Sequence, residues 1–248
     1  MISGPELFFR YARPPNELGY CGPGETGQVA ALAGGVVTPR AELTRIAAAF
    51  HGAWPYLELI SQRAGLSPLS AAVVEAYWMG NDLLGQVDLH DWGNSVDERF
   101  RAQSGRRWPA VVEALNHGGS PNHAFHVFCV YPWVGLLREG FVEPAVEVLD
   151  RCRISRGRVV RGTDDGQVVV SSRRLEWVDH RLVEAEPTRD LFKTSFEGLE
   201  AGDIVSLHWD YVCQRLDRHR ARALRLSHDR HLQIANEELR RARLEPAH

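Results

Sequence analysis

The sequence predicts an α+β protein, with an N-terminal all-helical domain followed by a small, OB-like β-barrel that ends in a C-terminal helix. Three observations support this fold class. Apolar residues follow a helical period from about residue 39 to residue 149. Four or five short alternating runs separated by turn residues follow Cys152. From Asp210 the pattern becomes helical again, and a few short strands beside one helix are typical of a small barrel.

The composition is that of a globular protein of ordinary type. The chain has 248 residues, of which 44% are hydrophobic and 25% are charged. Lys plus Arg number 29 against 32 Asp plus Glu, a net charge of -3 that argues against general nucleic-acid binding. No stretch approaches the roughly 20 apolar residues of a membrane span, and residues 1–15 lack the apolar region of a signal peptide. We therefore expect a cytoplasmic protein with no nucleic-acid and no membrane partner.

The leading segment, residues 1–40, is rich in Gly and Pro, and its helical period is weak. Within it, "GPGETG" (residues 22–27) matches the spacing G-x-G-x-x-G. A dinucleotide site needs this motif between a strand and a helix, and here no strand precedes it and a proline interrupts it. The segment is therefore interpreted as a tight loop whose glycines adopt positive φ.

The helical domain is predicted to span residues 1–150, and the barrel with its C-terminal helix residues 151–248. Three of its helices are expected to begin at a Ser/Thr–Pro pair, since Pro is favoured in the first turn. A further proline, Pro132, should kink the helix that begins at Ser120–Pro121. The segment 142–152 closes the block. The pairs are Thr38–Pro39, Ser67–Pro68 and Ser120–Pro121.

The barrel elements are indicated by their turns. In "RGRVVRGTDDGQVVVSS" two alternating runs flank "GTDDG", which predicts a β-hairpin. The segment "RLEWVDHRLVEAE" supplies one or two further strands, and "GDIVSLHW" supplies another. The arginines between residues 215 and 243 alternate with Asp and Glu, which indicates a solvated helix face.

The four cysteines, at positions 21, 129, 152 and 213, form no C-x-x-C pair and are expected to be free thiols. Cys152 stands at the junction of the two predicted domains. A cysteine is commonly a small buried residue, but as the first residue of a barrel domain Cys152 would lie at the barrel mouth and be accessible. That position favours a chemical role for its thiol.

Two motifs in residues 151–226 carry a resemblance to a known family. Cys152 is followed five residues later by Gly157 and the strand "RVV", and "GDIVSLH" runs from Gly202 to His208 before "RLD" and a helix. In these features the segment resembles the HypC/HupF family of [NiFe]-hydrogenase maturation chaperones, which are small barrels with a C-terminal helix. The whole chain, through "NELGYCGP", "HAFHVFCVYPW" and "HWDYVC", also resembles an uncharacterised actinobacterial family.

The HypC resemblance implies a non-enzymatic chaperone that carries iron bearing cyanide and carbon monoxide. It implies Cys152 as iron ligand, because a thiolate is a soft and exchangeable donor, with His208 as second ligand or as a group that orients the cargo. Gly157 and Asp203 would be further cofactor-binding positions. The implied partners are a hydrogenase maturation scaffold and the hydrogenase large-subunit precursor. Cys152 and His208 can meet only if the first and last barrel strands are neighbours.

A second candidate metal set is His123, His126 and Cys129, whose spacing of three places them on one face of a helix. The alternative is a core whose histidines bond to neighbouring helices. Glu75, in an apolar run, needs a partner such as one of these histidines, and structural pairing is favoured over catalysis. An enzyme hypothesis places a metal-dependent site at Glu75, His123 and His126, which would supply a ligand to barrel-bound iron.

Two cysteines complete the candidates. Cys21, in a loop, is a possible nucleophile or third thiol, although most loop cysteines are neither. Cys213 is expected one turn beyond His208 at the start of the final helix, and buried. A third functional class is a redox sensor that uses exposed cysteines. Under the chaperone hypothesis, replacing Cys152 abolishes iron retention, whereas replacing His123 leaves it nearly intact.

Overall fold

The computed structural model describes residues 2–163 and 165–244, and along them shows eleven α-helices, the last of which is long, and seven strands. The α+β fold class is therefore confirmed. The helices are α1 (Gly4–Glu17), α2 (Thr26–Ala33), α3 (Arg40–Ala48), α4 (Trp54–Ala64), α5 (Ala71–Met79), α6 (Leu89–Ser104), α7 (Trp108–Asn116), α8 (His123–Phe125), α9 (Trp133–Arg138), α10 (Val142–Cys152) and α11 (Arg218–Leu244). The strands are β1 (Ser155–Gly162), β2 (Val168–Ser172), β3 (Leu175–Val178), β4 (Arg181–Glu184), β5 (Thr188–Thr194), β6 (Ile204–His208) and β7 (Tyr211–Arg215).

Five strands close a barrel in the order β1-β2-β5-β7-β6. Strand β1 pairs antiparallel with both β2 and β6, so the first barrel strand lies beside the strand that ends at His208. The hairpin predicted at "GTDDG" joins β1 to β2, with residue 164 of its loop outside the described residues. Strands β3 and β4 form a separate hairpin. A small apolar core fills the barrel with Val159, Val168, Val170, Val205, Leu207 and Val212.

The leading segment is more helical than its composition predicts, and the expectation of weak helical structure there is wrong. Helix α1 has a proline in its first turn, where the missing N–H costs no hydrogen bond, and Ser3 caps it through a bond from the Glu6 N–H. Its Pro14 and Pro15 lie close to its end. Phe8 and Phe9 of α1 are fully buried, so tertiary packing outweighs the unfavourable composition.

The loop predicted at "GPGETG" is present over residues 22–25, whereas its last two residues belong to α2, and of its three glycines Gly22 alone has positive φ. Gly22 also allows close packing, because a Cβ at this position would overlap the Phe50 ring. The motif therefore serves chain reversal and close packing between α1 and α2.

One large apolar core joins the helical part to the β3–β4 hairpin and to α11, since it contains Leu175, Leu182 and Leu239 as well as the helical residues. Helix α10 ends at Cys152 and β1 begins at Ser155. The division into residues 1–150 and 151–248 stays a prediction, and residues 245–248 lie outside the described part of the chain.

Gly157 packs tightly inside the barrel wall. A Cβ there would overlap Val170 Cγ1 at 2.3 Å and would lie tightly against the Ser171 carbonyl oxygen at 3.1 Å. We expect Gly157→Ala to lower the free energy of unfolding by about 1–3 kcal/mol, as overpacking does in other cores. The matched control is Gly162→Ala in the same strand, where a Cβ would meet no described atom within 4 Å. Urea unfolding of both variants tests this, and equal stabilities would contradict it.

Candidate metal centre

A cavity of about 230 Å³ lies between the helical part and the turn that joins β6 to β7. Most of its wall is aromatic. Its polar groups are three histidines, two cysteines and the hydroxyl or indole groups of the aromatic residues. The aromatic lining consists of Tyr20, Phe50, Tyr77, Trp78, Tyr131, Trp133 and Trp209.

Three potential metal ligands converge in this cavity from three distant parts of the chain. His123 is the first residue of α8, Cys152 the last of α10, and His208 the last of β6. One ring nitrogen from each histidine and the Cys152 sulfur lie within 4.8 Å of one another. All three residues are buried. The structure thus places the predicted pair Cys152 and His208 together and adds a histidine from the second predicted set.

Each histidine of the cluster is oriented by a backbone carbonyl. His208 Nδ1 donates to the Tyr11 carbonyl at 2.7 Å, which leaves the Nε2 lone pair directed into the site. That Nε2 is buried and has no hydrogen-bond partner among the described residues. His123 Nε2 donates to the Cys152 carbonyl at 2.8 Å, and its Nδ1 faces the Tyr77 hydroxyl at 3.3 Å. At His208 one nitrogen is held by a carbonyl and the other has no partner, which is the arrangement of metal-binding histidines, whereas at His123 a metal would have to displace the Tyr77 hydroxyl from Nδ1.

The cluster carries no charge at neutral pH. Burial lowers the pKa of His123 to about 4 and moves the pKa of His208 well below its usual value, so both rings are neutral. Burial also raises the pKa of the Cys152 thiol, with a smaller opposite effect from the Trp209 indole. A protonated thiol beside two neutral imidazoles needs no counter-ion, and metal binding would require the loss of a single proton.

Cys152 lies in a different setting from the one that the sequence predicts. It belongs to the last turn of α10 and not to the barrel, and its exposed fraction is only 7%. The expectation of an accessible thiol at an open barrel mouth is therefore wrong. The reason is tertiary: the helical part packs over this side of the barrel, and α1 contacts β7 through the Tyr211 hydroxyl and Glu17.

The next residue, Arg153, fixes the end of α10. Its guanidinium is 1% exposed and donates to Asp150, to Glu184 at 2.9 Å and to the Arg173 carbonyl. Glu184 belongs to β4 and Arg173 to the connection between β2 and β3. A fully paired buried arginine holds its neighbours in one geometry, so this network sets where the Cys152 backbone enters the site.

Trp209 covers the cluster, and nothing in the sequence pattern indicates its role. It is one of three non-glycine residues with positive φ in the described chain, and its N–H donates to the Arg151 carbonyl at 2.7 Å. Its indole stacks on Tyr20 at 4.7 Å between ring centroids. A strained backbone at a tryptophan is maintained only where surrounding contacts demand it. Those contacts hold the indole in the cavity wall.

The second predicted metal set is divided by the structure. His123 and His126 line the cavity, but Cys129 does not and is buried near Arg107 and Glu238. The sequence argument assumes a continuous α-helix, whereas His126–Val130 forms a π-helical turn that changes the direction of later side chains. The helix expected to kink at Pro132 is broken at Tyr131–Pro132.

The sequence predicts that Glu75 pairs with a histidine, and this prediction is wrong. Its carboxylate accepts a bond of 2.6 Å from Arg220 Nε of α11, outside the cavity lining. The predicted metal-dependent enzyme site at Glu75, His123 and His126 is therefore not assembled. Gly157 and Asp203 also lie away from the cavity, the first in the barrel wall and the second in an ion pair with Arg215 at 2.9 Å.

The remaining cysteines offer no reactive thiol. Cys213 is buried as predicted, but in strand β7 and not in a helix. Cys21 lines the cavity and is partly buried, and burial raises the pKa of its thiol to about 12, which disfavours a nucleophile. A redox sensor would need exposed cysteines, and none of the four is exposed.

No helix among the described residues combines the length and apolar character needed to cross a membrane.

No curated protein and no solved structure matches the chain. None of the comparisons supports the resemblance to the HypC/HupF family. The comparison with protein families matches residues 1–242 to DUF6390, described as a family of unknown function. Because this match covers nearly the whole chain, the protein belongs to the DUF6390 family.

Proposed function

We propose that this protein is a metallocofactor-assembly chaperone that holds a transition-metal cargo at His123, Cys152 and His208. The observation that carries this proposal is the cluster itself, in which three ligand atoms lie within 4.8 Å of one another. A buried imidazole nitrogen without a partner, as at His208 Nε2, is otherwise costly to maintain. A metal ion would satisfy it.

The donor set favours a soft or borderline metal. One thiolate and two imidazoles suit iron, zinc or copper better than magnesium or calcium, which prefer oxygen ligands. Three protein ligands leave coordination positions for other groups. A site of this kind can hold a metal that arrives with ligands of its own and leaves with them.

We assign the cargo as iron that carries cyanide and carbon monoxide. The support is the resemblance of residues 151–226 to HypC-like chaperones, together with the largely aromatic wall of the cavity. Carbon monoxide accepts weak hydrogen bonds at best and suits apolar surroundings. The chain would take this group from a maturation scaffold and pass it to the hydrogenase large-subunit precursor, both in the cytoplasm, without catalysing a reaction.

The test is an infrared spectrum of protein purified without oxygen from a host with active hydrogenase maturation. We expect bands of cyanide and carbon monoxide on iron in the wild type and none in Cys152→Ala. Because His123 lies in the cluster, His123→Ala should weaken the bands, in contrast to the expectation from sequence. Cys129→Ala is the matched control, since this thiol is buried outside the cavity, and its bands should be unchanged. Bands of unchanged intensity in Cys152→Ala would contradict the proposal.

A further inference from the structure

His126 is a buried histidine in the same cavity that the three-ligand cluster does not use. Its exposed fraction is 3%, and its Nδ1 lies 2.9 Å from the Tyr56 hydroxyl. That hydroxyl has no other hydrogen-bond partner among the described residues, and we assign the hydrogen of this bond to the hydroxyl, so that Nδ1 accepts it. The ring hydrogen therefore sits on Nε2, which is buried and has no described partner. Because buried N–H groups are nearly always hydrogen-bonded, a donor directed into a cavity indicates a site for an acceptor.

The space in front of this nitrogen is kept open by a glycine. A Cβ on Gly52 would lie 3.0 Å from His126 Nε2 and 3.5 Å from the Tyr131 hydroxyl oxygen. Any side chain at this position would fill the region that both polar groups face. The hydroxyl of Tyr131 and the N–H of His126 therefore converge on one small volume.

The π-helical turn explains how these two groups come to be neighbours. The Tyr131 N–H donates to the His126 carbonyl at 2.9 Å, five residues back, and the two rings lie 4.3 Å apart. A regular α-helix would direct the two side chains to different faces. Such single π-turns are often found at functional sites. The carbonyl of Tyr131 also accepts a bond from Arg107, which fixes the end of the turn.

The cavity carries no fixed charge, because none of the described residues that line it is Asp, Glu, Lys or Arg. A divalent metal bound by one thiolate and two neutral imidazoles leaves a net charge of about +1 in this wall, which is unfavourable in a buried site. A monoanionic ligand on the metal would cancel it. The volume of about 230 Å³ restricts that ligand to a small one.

We propose that His126 and Tyr131 form a subsite for a small monoanion bound to the metal, and that they donate hydrogen bonds to its outer atom. This inference rests on the proposed metal site and deepens it by naming the class of ligand that completes the coordination. Linear anions with a terminal lone pair, such as azide and cyanide, belong to this class.

The experiment loads the full-length protein with Co²⁺, follows the thiolate and d–d absorption bands, and then titrates with azide. Wild type should bind azide, and His126→Phe should weaken azide about 10- to 100-fold with Co²⁺ affinity unchanged within twofold, as expected for loss of a buried hydrogen bond to an anion. His126→Gln retains a donor and should recover most of the affinity. Gly52→Ala should weaken azide about tenfold through the added Cβ, which gives a test independent of the histidine.

The outcomes separate the two proposals. His117→Gln changes a half-exposed histidine outside the cavity and should bind azide like wild type. If Co²⁺ binds and azide affinity is the same in His126→Phe and Gly52→Ala as in wild type, the subsite is wrong and the metal site stands. If Co²⁺ gives no thiolate band in wild type, the metal site fails and the subsite fails with it.

Discussion

Between pH 6.5 and pH 5, the free energy of unfolding should fall by about 6 kcal/mol, comparable to the whole stability of a marginally stable domain. Burial lowers the pKa of five histidines, and the largest effect comes from four of them, His228 being the fifth. Burial lowers the pKa of His123 to about 4, of His126 to about 3 and of His231 to about 4, and moves the pKa of His208 well below its usual value. In the unfolded chain each would titrate near 6.5.

The sign follows from proton counting. Because the unfolded chain binds more protons below pH 6.5 than the folded protein does, stability rises with pH in this range. The stabilisation is fully present about one pH unit above 6.5 and higher, and is lost as the pH falls through 6.5 toward the folded-state pKa values. At pH 5 each histidine lowers the free energy of unfolding by about 2 kcal/mol relative to high pH, because it is still neutral in the folded protein and almost fully protonated in the unfolded chain; about a fifth of this loss has already occurred at pH 6.5.

Urea unfolding followed by tryptophan fluorescence at a series of pH values measures this dependence. The slope of the unfolding free energy against pH, expressed as protons taken up on unfolding, should approach four below pH 6. Replacing one of the four, as in His231→Gln, should reduce the slope by about one proton. A stability that stays constant from pH 6.5 to pH 5 would show that the buried histidines are already charged in the folded protein.

The barrel strands could be predicted from the sequence because their signals are local. Alternating apolar residues around "GTDDG" specify the β1–β2 hairpin without reference to the rest of the chain. The closeness of Cys152 and His208 depends in addition on barrel closure, which pairs β1 with β6. Helices α1 and α2 are harder to predict from sequence, because their packing against the core compensates for the low helix propensity of the prolines and glycines in this segment.

Contacts between residues far apart in the chain have no periodic signature in one sequence. His123 reaches the Cys152 carbonyl across 29 positions, and Glu75 reaches Arg220 across 145. The position of Cys129 depends on a π-turn, and a spacing of three residues assumes a regular α-helix. The cluster therefore combines one predicted pair with one residue of a set whose geometry the sequence could not specify.

The metal affinity of the wild-type protein should rise about 100-fold between pH 7 and pH 9. At a fixed pH of 8, Cys152→Ser should lower that affinity about 10²- to 10³-fold. The pKa of the Cys152 thiol is raised by burial, so across this range the empty site holds the thiol proton and binding must release it. The two histidines are neutral throughout and release nothing. One proton lost per metal bound means a tenfold gain in affinity for each pH unit.

Competition for Zn²⁺ against a chelator of known proton affinity measures the slope. An exposed thiol would level off near pH 8.5, where it ionises, whereas the slope at the buried Cys152 should continue to pH 9. Cys129→Ser, at a buried thiol outside the cavity, should keep both the affinity and the slope. Affinity that does not change with pH in wild type would exclude Cys152 as a ligand. A slope of one would mean that the proton displaced on binding can return to the thiol on release, which favours handing the metal to a recipient.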